Sequence, residues 1–304
     1  MSGLGDKVNA SIQRLKAFEP PEGYYLAFSG GKDSVVIKAL ADMARVRYTP
    51  IMRLTSVDPP ELIRFVRKHH SDVSIDIPRD KNGNQITMWS LIVKEKIPPY
   101  PTRRYCCKHL KETGGRGAIT VTGVRWAESV RRKKNHGLVT INTKNSTVED
   151  VVGDADIDYR VTRNGNGLVL NYDNDESSRM VAQCYRTNKT LVNPIIDWDD
   201  DDVWAFIRAE GILYCQLYDE GFHRIGCVGC PMSNMRLMTR DFARWPVYKT
   251  NYIKAFDRMQ KARRDAGLDD MCFEGATGED IYHWWIHDGV IPGQIDMFGE
   301  LEDI

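Results

Sequence analysis

The chain has no excess of either charge: Lys plus Arg and Asp plus Glu number 42 each among 304 residues. That balance gives no whole-chain footprint for nonspecific nucleic-acid binding, and leaves local patches such as Arg103-Arg104 and Arg131-Arg132-Lys133-Lys134 to reach phosphates. A solvated charged face explains Arg131 to Lys134 equally well. No apolar run approaches the roughly 20 residues needed to cross a bilayer, so no membrane partner is expected. Internal repeats, low-complexity segments and a secretory leader are not seen either, which points to a cytoplasmic protein. Cysteines are few and odd in number, seven in all, which fits poorly with a disulfide framework. The hydrophobic share of 42% is ample for a full core at this length.

Against this background, Tyr24-Tyr25-Leu26-Ala27-Phe28 reads as a buried strand running into Ser29-Gly30-Gly31-Lys32-Asp33-Ser34 and then a helix. Gly30 and Gly31 allow backbone angles closed to other residues and a close approach to the main chain. Ser29, Asp33 and Ser34 are suited to capping the helix, whose free N–H groups and positive dipole end face an anion. The loop has neither the four-residue spacing of the P-loop nor the three spaced glycines of the Rossmann fingerprint. A plain strand-turn-helix connection also uses Gly and Ser.

The second constellation is four cysteines: adjacent Cys106 and Cys107, and Cys227 and Cys230 in Cys-Val-Gly-Cys. Metal ligation is the better reading. A Cys-x-x-Cys turn serves zinc and iron–sulfur equally, whereas adjacent thiolates splay apart and suit separate irons of a cubane better than one tetrahedral ion. Cys184, Cys215 and Cys272 stand alone, and Cys272, between Met271 and Phe273, reads as a small buried hydrophobe rather than a nucleophile. His109 and His223 lie near the cysteine pairs in sequence and read as either neighbours of the bound metal or surface residues.

Apolar runs at 24–28, 50–54, 73–77 and 119–124 alternate with helical patterns at 35–44, 61–68 and 87–94. The pattern predicts an α/β fold, a mostly parallel twisted sheet with helices on both faces, plus a helical C-terminal extension. Asp199 to Glu210 reads as a capped helix stopped by Gly211. The expected organisation is a helical lead over 1–20, a nucleotide-binding domain over 21–235 and a helical region over 236–304. A polar hairpin insertion falls at about 137–190, with its turn at Asn164-Gly165-Asn166-Gly167. The aromatic stripe from Phe242 through Trp285 reads as core. Tyr218 to Phe222 is expected to shape the approach to the second cysteine pair, with no catalytic part.

Ser-Gly-Gly-Lys-Asp-Ser after an apolar strand resembles the pyrophosphate loop of the adenine-nucleotide alpha-hydrolase (PP-loop) superfamily. Val121 to Ser129 resembles the Thr-Gly-x-Arg-x-x-x-Ser stretch of phosphoadenosine phosphosulfate (PAPS) reductases, and Asn193 to Trp198 followed by Asp202-Val203-Trp204 resembles their Pro-Leu-x-x-Trp and Asp-Val-Trp signature. The tandem Cys-Cys and distant Cys-x-x-Cys are similar to the cluster motif of adenylylsulfate reductases, with Lys111 where those enzymes carry a lysine. The order of these matches over about residues 20 to 235 identifies the chain as a member of the PAPS reductase family.

The resemblance implies ATP or a related adenine nucleotide, with its phosphates at Ser29, Gly30, Gly31, Asp33, Ser34, Gly123, Arg125 and Ser129. Lys32, Asp33 and Arg125 are the implied catalytic residues: Asp33 braces the loop or helps hold Mg²⁺, and Lys32 offers charge or is merely solvated. It also implies a 4Fe-4S cluster on Cys106, Cys107, Cys227 and Cys230, with zinc as the alternative.

Two departures stand out. No cysteine follows Cys272, where reductases carry a Glu-Cys-Gly-Leu-His nucleophile, and Arg53 to Glu61 replaces their Leu-Asp-Thr-Gly. The pattern therefore resembles the sulfurtransferase-like branch, as in DNA phosphorothioation and tRNA thiolation, in which ATP activates an acceptor oxygen before sulfur is delivered. That implies a sulfur-donor protein such as a cysteine desulfurase and a nucleic-acid acceptor. The alternatives are a PAPS or adenylylsulfate reductase and a non-enzymatic nucleotide or redox sensor.

Overall fold

A computed structural model of the protein describes residues 3–287 apart from 116, 144–146 and 154. Residues 288–304, part of the stretch after Cys272 that carries no cysteine, lie outside the described residues. The strands are β1 (Tyr24–Ala27), β2 (Tyr48–Arg53), β3 (Ser74–Asp76), β4 (Ile119–Val121), β5 (Val139–Asn142), β6 (Arg160–Val161), β7 (Gly167–Leu170) and β8 (Lys189–Val192). The helices are α1 (Leu4–Ala17), α2 (Lys32–Ala44), α3 (Pro60–His69), α4 (Met88–Glu95), α5 (Val130–Asn135) and α6 (Val148–Val152). They continue with α7 (Asp175–Cys184), α8 (Asp200–Ala209), α9 (Met235–Arg244), α10 (Pro246–Arg264) and α11 (Gly278–Ile286).

The chain folds into two compact units: Met1–Arg53, Pro60–Asp76 and Gly114–Ile225 form the first, and Leu54–Pro59, Ile77–Thr113 and Gly226–Ile304 the second.

The first unit holds the whole sheet, in the order β3-β2-β1-β4-β8-β5-β7-β6. Strands from β3 to β8 pair in parallel, and β5, β7 and β6 close the far side antiparallel. β2 lies on one side of β1 and β4 on the other, so strand order reverses at β1, where open α/β sheets take ligands beyond the strands' carboxyl ends. Tyr24, Leu26, Met52, Val121, Val139, Ile141 and Val192 fill the core.

The expected elements lie within one to three residues of those found. β2 starts two residues early, at Tyr48, which puts Pro50 inside the strand. The Ile51 carbonyl accepts from the Phe28 N–H on the β1 side, so the N–H that Pro50 lacks would face the β3 side. β3 pairing begins only at Ile51, and no ladder bond is lost there.

The 137–190 segment contains the expected antiparallel pair, with Arg160 opposite Val169 and Val161 opposite Leu168. It is also structural: β5 sits between β8 and β7, and Val139, Ile141, Leu168, Val169 and Leu170 are fully buried.

α1 packs against α2 and α8. Its Ser11 hydroxyl donates to the Pro194 carbonyl at 2.9 Å, and Tyr24 donates to the Leu15 carbonyl at 2.7 Å. Arg14 clamps Asp197 with two bonds of 2.7 and 2.8 Å. Burial opposes ionisation of Asp197, but the Arg14 guanidinium outweighs it and the carboxyl titrates below its ordinary value. A depressed folded value contributes stability above the unfolded pKa, about 3.9, and loses it as pH falls through the folded one. Asp197→Asn is therefore expected to cost under about 1 kcal/mol at pH 7, since the pair is partly solvated, and nothing near pH 2. Urea unfolding at the two pH values measures the difference.

The second unit is helical. α10 packs on α4, α9 and α11, and Phe242, Tyr252, Phe256, Met259, Tyr282 and Trp285 form its core. The Trp285 indole donates to the Pro99 carbonyl at 2.8 Å.

Candidate functional site

β1 ends at Ala27, and the chain turns through Gly30, at φ 76°, into α2. A side chain at Gly30 would be strained by that angle, and its Cβ would lie 2.7 Å from Leu62 Cδ1 and 2.8 Å from Val66 Cγ2. Contrary to the capping expected of Ser29, Asp33 and Ser34, Gly31 is the N-cap and makes no side-chain cap bond. Ser34 instead donates its hydroxyl to the Gly31 carbonyl at 2.8 Å, and Ser29 accepts weakly from the Gly31 N–H at 3.4 Å. The helix end is thus left to other partners, in keeping with an anion seat.

Arg125 organises the site. It is 2% exposed, with Nε 2.7 Å from Asp33 Oδ1 and an Nη 2.7 Å from Asp200 Oδ1. Lys32, 6% exposed, closes the ring at 3.7 Å from Asp33 and 3.3 Å from Asp200. Lys32 is therefore buried and paired rather than solvated, and Asp33 braces the loop through Arg125. Burial works against the Asp200 carboxylate, but Arg125 and Lys32 prevail and hold its pKa below the usual range.

Gly123 lets β4 approach α2: a Cβ there would lie 2.9 Å from Asp33 Cβ and 3.1 Å from the Asp33 carbonyl oxygen. Because one of those atoms is backbone, Gly123→Ala is expected to destabilise by about 1–3 kcal/mol. Denaturant unfolding reads the loss.

Two members of this group were not singled out in the sequence. Asp200 was read only as part of an acidic helix start. Tyr218, expected near the cysteines, lies on the loop, its hydroxyl accepting from the Lys32 N–H at 2.8 Å. Arg132, taken as equally well a solvated residue, is pushed down in pKa by burial and feels Glu128, Arg224, Asp33 and Arg125. Ser129, expected to contact phosphate, caps α5 by accepting from the Arg132 N–H at 3.2 Å.

All four paired cysteines lie in the second unit. Residues Cys107–Lys111 form a π-helical turn in which the Glu112 N–H donates to the Cys107 carbonyl at 2.9 Å, a wide geometry frequent at functional sites. The turn holding Cys227 and Cys230 is fixed by Val228 N–H donating to the Val57 carbonyl at 2.8 Å and by Tyr252 donating to the Val228 carbonyl at 3.2 Å. Gly229, at φ 68°, leaves room for Phe242 and Tyr252, whose atoms a Cβ would meet at 2.6 and 3.0 Å. The Arg53 to Glu61 departure supplies part of this surround, with Thr55 Oγ1 3.5 Å from Cys227 Sγ.

The thiols sense one another. Cys106 is pushed up by the adjacent Cys107, by burial and by Cys227, while Cys107 is drawn down by the Cys106 thiol, Lys111 and Arg104. Burial pushes Cys230 up, with Cys227 and Cys107 adding to it. Lys111, an exposed residue, bonds Cys227, whose charge holds the lysine pKa up against desolvation. Among the described residues, no three His, Cys, Asp or Glu side chains are disposed to hold a single metal ion. Thiols are soft ligands of the kind that iron–sulfur clusters and zinc take. Cys272 lies apart, and burial pushes its thiol up to about 11, leaving it protonated at neutral pH.

A profile of the phosphoadenosine phosphosulfate reductase domain matches residues 23–233, from the first strand through both cysteine pairs. The chain belongs to this family.

Among curated relatives of this PAPS reductase family chain, an uncharacterized protein of Methanocaldococcus jannaschii is 27% identical over 80% of it and 48% of the relative. A second from the same organism covers 45% of its own length, so the chain spans about half of these proteins. A probable FAD synthase of Schizosaccharomyces pombe is 24% identical, covering 81% of this chain and 76% of that protein. An adenosine 5'-phosphosulfate reductase of Neisseria meningitidis is 53% identical over 38 residues, 12% of this chain and 16% of the reductase. Of solved structures, the PAPS reductase of Candida auris aligns at TM-score 0.41 and 15% identity, covering 75% of this chain and 96% of that one. The family model is that of a reductase domain acting on a nucleotide, phosphoadenosine phosphosulfate, and among the described residues no helix is long and apolar enough to cross a membrane.

Proposed function

We propose that the protein binds ATP at the Ser29 to Ser34 loop and cleaves it between the α- and β-phosphates, activating a substrate oxygen for replacement by sulfur. The observation that carries this reading is the ring that the buried cations Arg125 and Lys32 form with Asp33 and the exposed Asp200, beside a helix end whose own N-cap residue, Gly31, offers no side chain. Such a frame is fixed before the ligand arrives, and fixed charge in a dry setting stabilises a departing anion most. Asp200, 69% exposed at its side chain against 27% for Asp33, would be the more accessible carboxylate for a magnesium ion bound to the phosphates.

In the first step an acceptor oxygen attacks the α-phosphorus, the bond to the β-phosphate oxygen breaks, and pyrophosphate leaves against Lys32, Arg125 and the α2 N-terminus. The acceptor's proton passes to solvent. In the second step the terminal sulfur of a persulfide on the donor displaces AMP, and a dithiol reductant then cleaves the S–S bond so formed, leaving the thiolated product, the donor thiol and an oxidised disulfide. Cys106, Cys107, Cys227 and Cys230 would hold a 4Fe-4S cluster; with every iron ligated by a thiolate it would be structural or would orient the substrate, and the sulfur would arrive on the donor protein. Lys111 offsets the negative charge of that thiolate set. The resemblance to the sulfurtransferase-like branch supports a nucleic acid as the acceptor and a cysteine desulfurase as the donor.

The short stretch shared with an adenosine 5'-phosphosulfate reductase favours a second reading, sulfonucleotide reduction. Product analysis separates the two. ATP with magnesium and candidate acceptors should give AMP and pyrophosphate in equal amounts; sulfite release from adenosine 5'-phosphosulfate with a dithiol reductant would replace this reading by the second, and ADP with phosphate would contradict both.

A further inference from the structure

The Tyr218 hydroxyl occupies a place that an anion would otherwise claim. It accepts the first N–H of α2, that of Lys32, at 2.8 Å, and it lies 3.3 Å from where a Cβ on Gly31 would be. A phenol has one proton to give and accepts through its oxygen. The oxygen is used by Lys32, whereas the proton meets no acceptor among the described residues. The side chain is firmly placed: its ring sits edge-on to Trp204 at 5.2 Å and against Tyr214 at 6.3 Å. Burial keeps the phenol neutral, with its pKa raised, and the Arg224 cation stands within electrostatic reach. A neutral hydroxyl is a donor, and its unused proton is the natural partner of an oxyanion at the glycine loop.

We propose that Tyr218 is a ligand-binding residue that relays the helix end to the phosphate: it keeps the Lys32 N–H bond through its oxygen and donates its own proton to a pyrophosphate oxygen. The inference rests on the assignment of the loop as the pyrophosphate site. The alternative geometry, in which the ligand ejects the phenol and takes the Lys32 N–H for itself, makes the opposite prediction. A relay loses a bond to a charged group when the hydroxyl is removed; a displaced competitor, once removed, leaves the ligand equally or better bound.

The test is titration calorimetry of the full chain with inorganic pyrophosphate, comparing wild type, Tyr218→Phe and Tyr214→Phe. Tyr214 donates to Asp219 at 3.0 Å, away from the loop, and serves as the control for loss of a neighbouring hydroxyl. Tyr218→Phe keeps the ring contacts and is expected to bind pyrophosphate at least about tenfold more weakly, as for loss of a hydrogen bond to a charged group, with a thermal melt that stays a single cooperative transition although the Lys32 N–H loses its acceptor. Tyr214→Phe is expected to match wild type. Equal or tighter binding by Tyr218→Phe overturns the relay while leaving the loop assignment standing. Failure of the wild type to bind pyrophosphate overturns both. A second readout does not depend on the folding of the variant: pyrophosphate should perturb tyrosine ultraviolet absorption in the wild type, and a silent difference spectrum at saturation contradicts the relay.

Discussion

Arg125→Ala is expected to weaken ATP binding by about 100-fold or more. Lys32, Arg125, Asp33 and Asp200 together carry no net charge, two cations against two carboxylates, so removing Arg125 leaves a net charge of −1 at the anion seat. A unit charge about 6 Å from a phosphate at an effective dielectric near 20 repels it by about 3 kcal/mol, which is roughly 100-fold in affinity. Loss of the bonds that orient Asp33 adds to this. Arg125→Lys keeps the charge but has no planar fork to span both carboxylates, and should fall between the two. Calorimetry with ATP gives the affinities, and a thermal melt separates weakened binding from unfolding.

Cys106→Ser and Cys230→Ser are each expected to remove bound iron from anaerobically purified protein. The wild type should carry about four irons per chain with the broad visible absorption of a cubane, and each variant less than about one. Cys184→Ser is the control, since its buried thiol lies in the other unit beside Met180. Stoichiometric zinc without visible absorption would make the four cysteines a structural clasp and remove the sulfur step from the proposed reaction.

The two constellations were legible to different degrees. The strand, glycine loop and α2 follow from local periodicity and from residues whose backbone freedom is visible in the letters themselves. Arg125 emerged only through motif order. Its partner Asp200, 75 residues away, and Tyr218, 186 residues from Lys32, are brought to the loop by folding alone. No local spacing announces such a pairing. Ser129 shows the converse: a serine in a phosphate-like motif is equally a helix cap, and the cap is its bond here.

In the 137–190 segment, polar composition concealed two short, fully buried runs that continue the sheet. The π-helical turn after Cys106 leaves no periodic trace in five residues. The aromatic stripe, by contrast, was legible as core because large apolar residues recur at helical spacing, and Tyr252 and Phe256 are fully buried.

Binding of ATP to the full chain, with inorganic pyrophosphate as competitor, tests the central claim most directly. The account predicts one saturable site per chain from which pyrophosphate displaces ATP, and which Arg125→Ala empties without unfolding. Saturable ATP binding that pyrophosphate leaves untouched and Arg125→Ala preserves would contradict it, because the nucleotide would then lie somewhere other than the glycine loop.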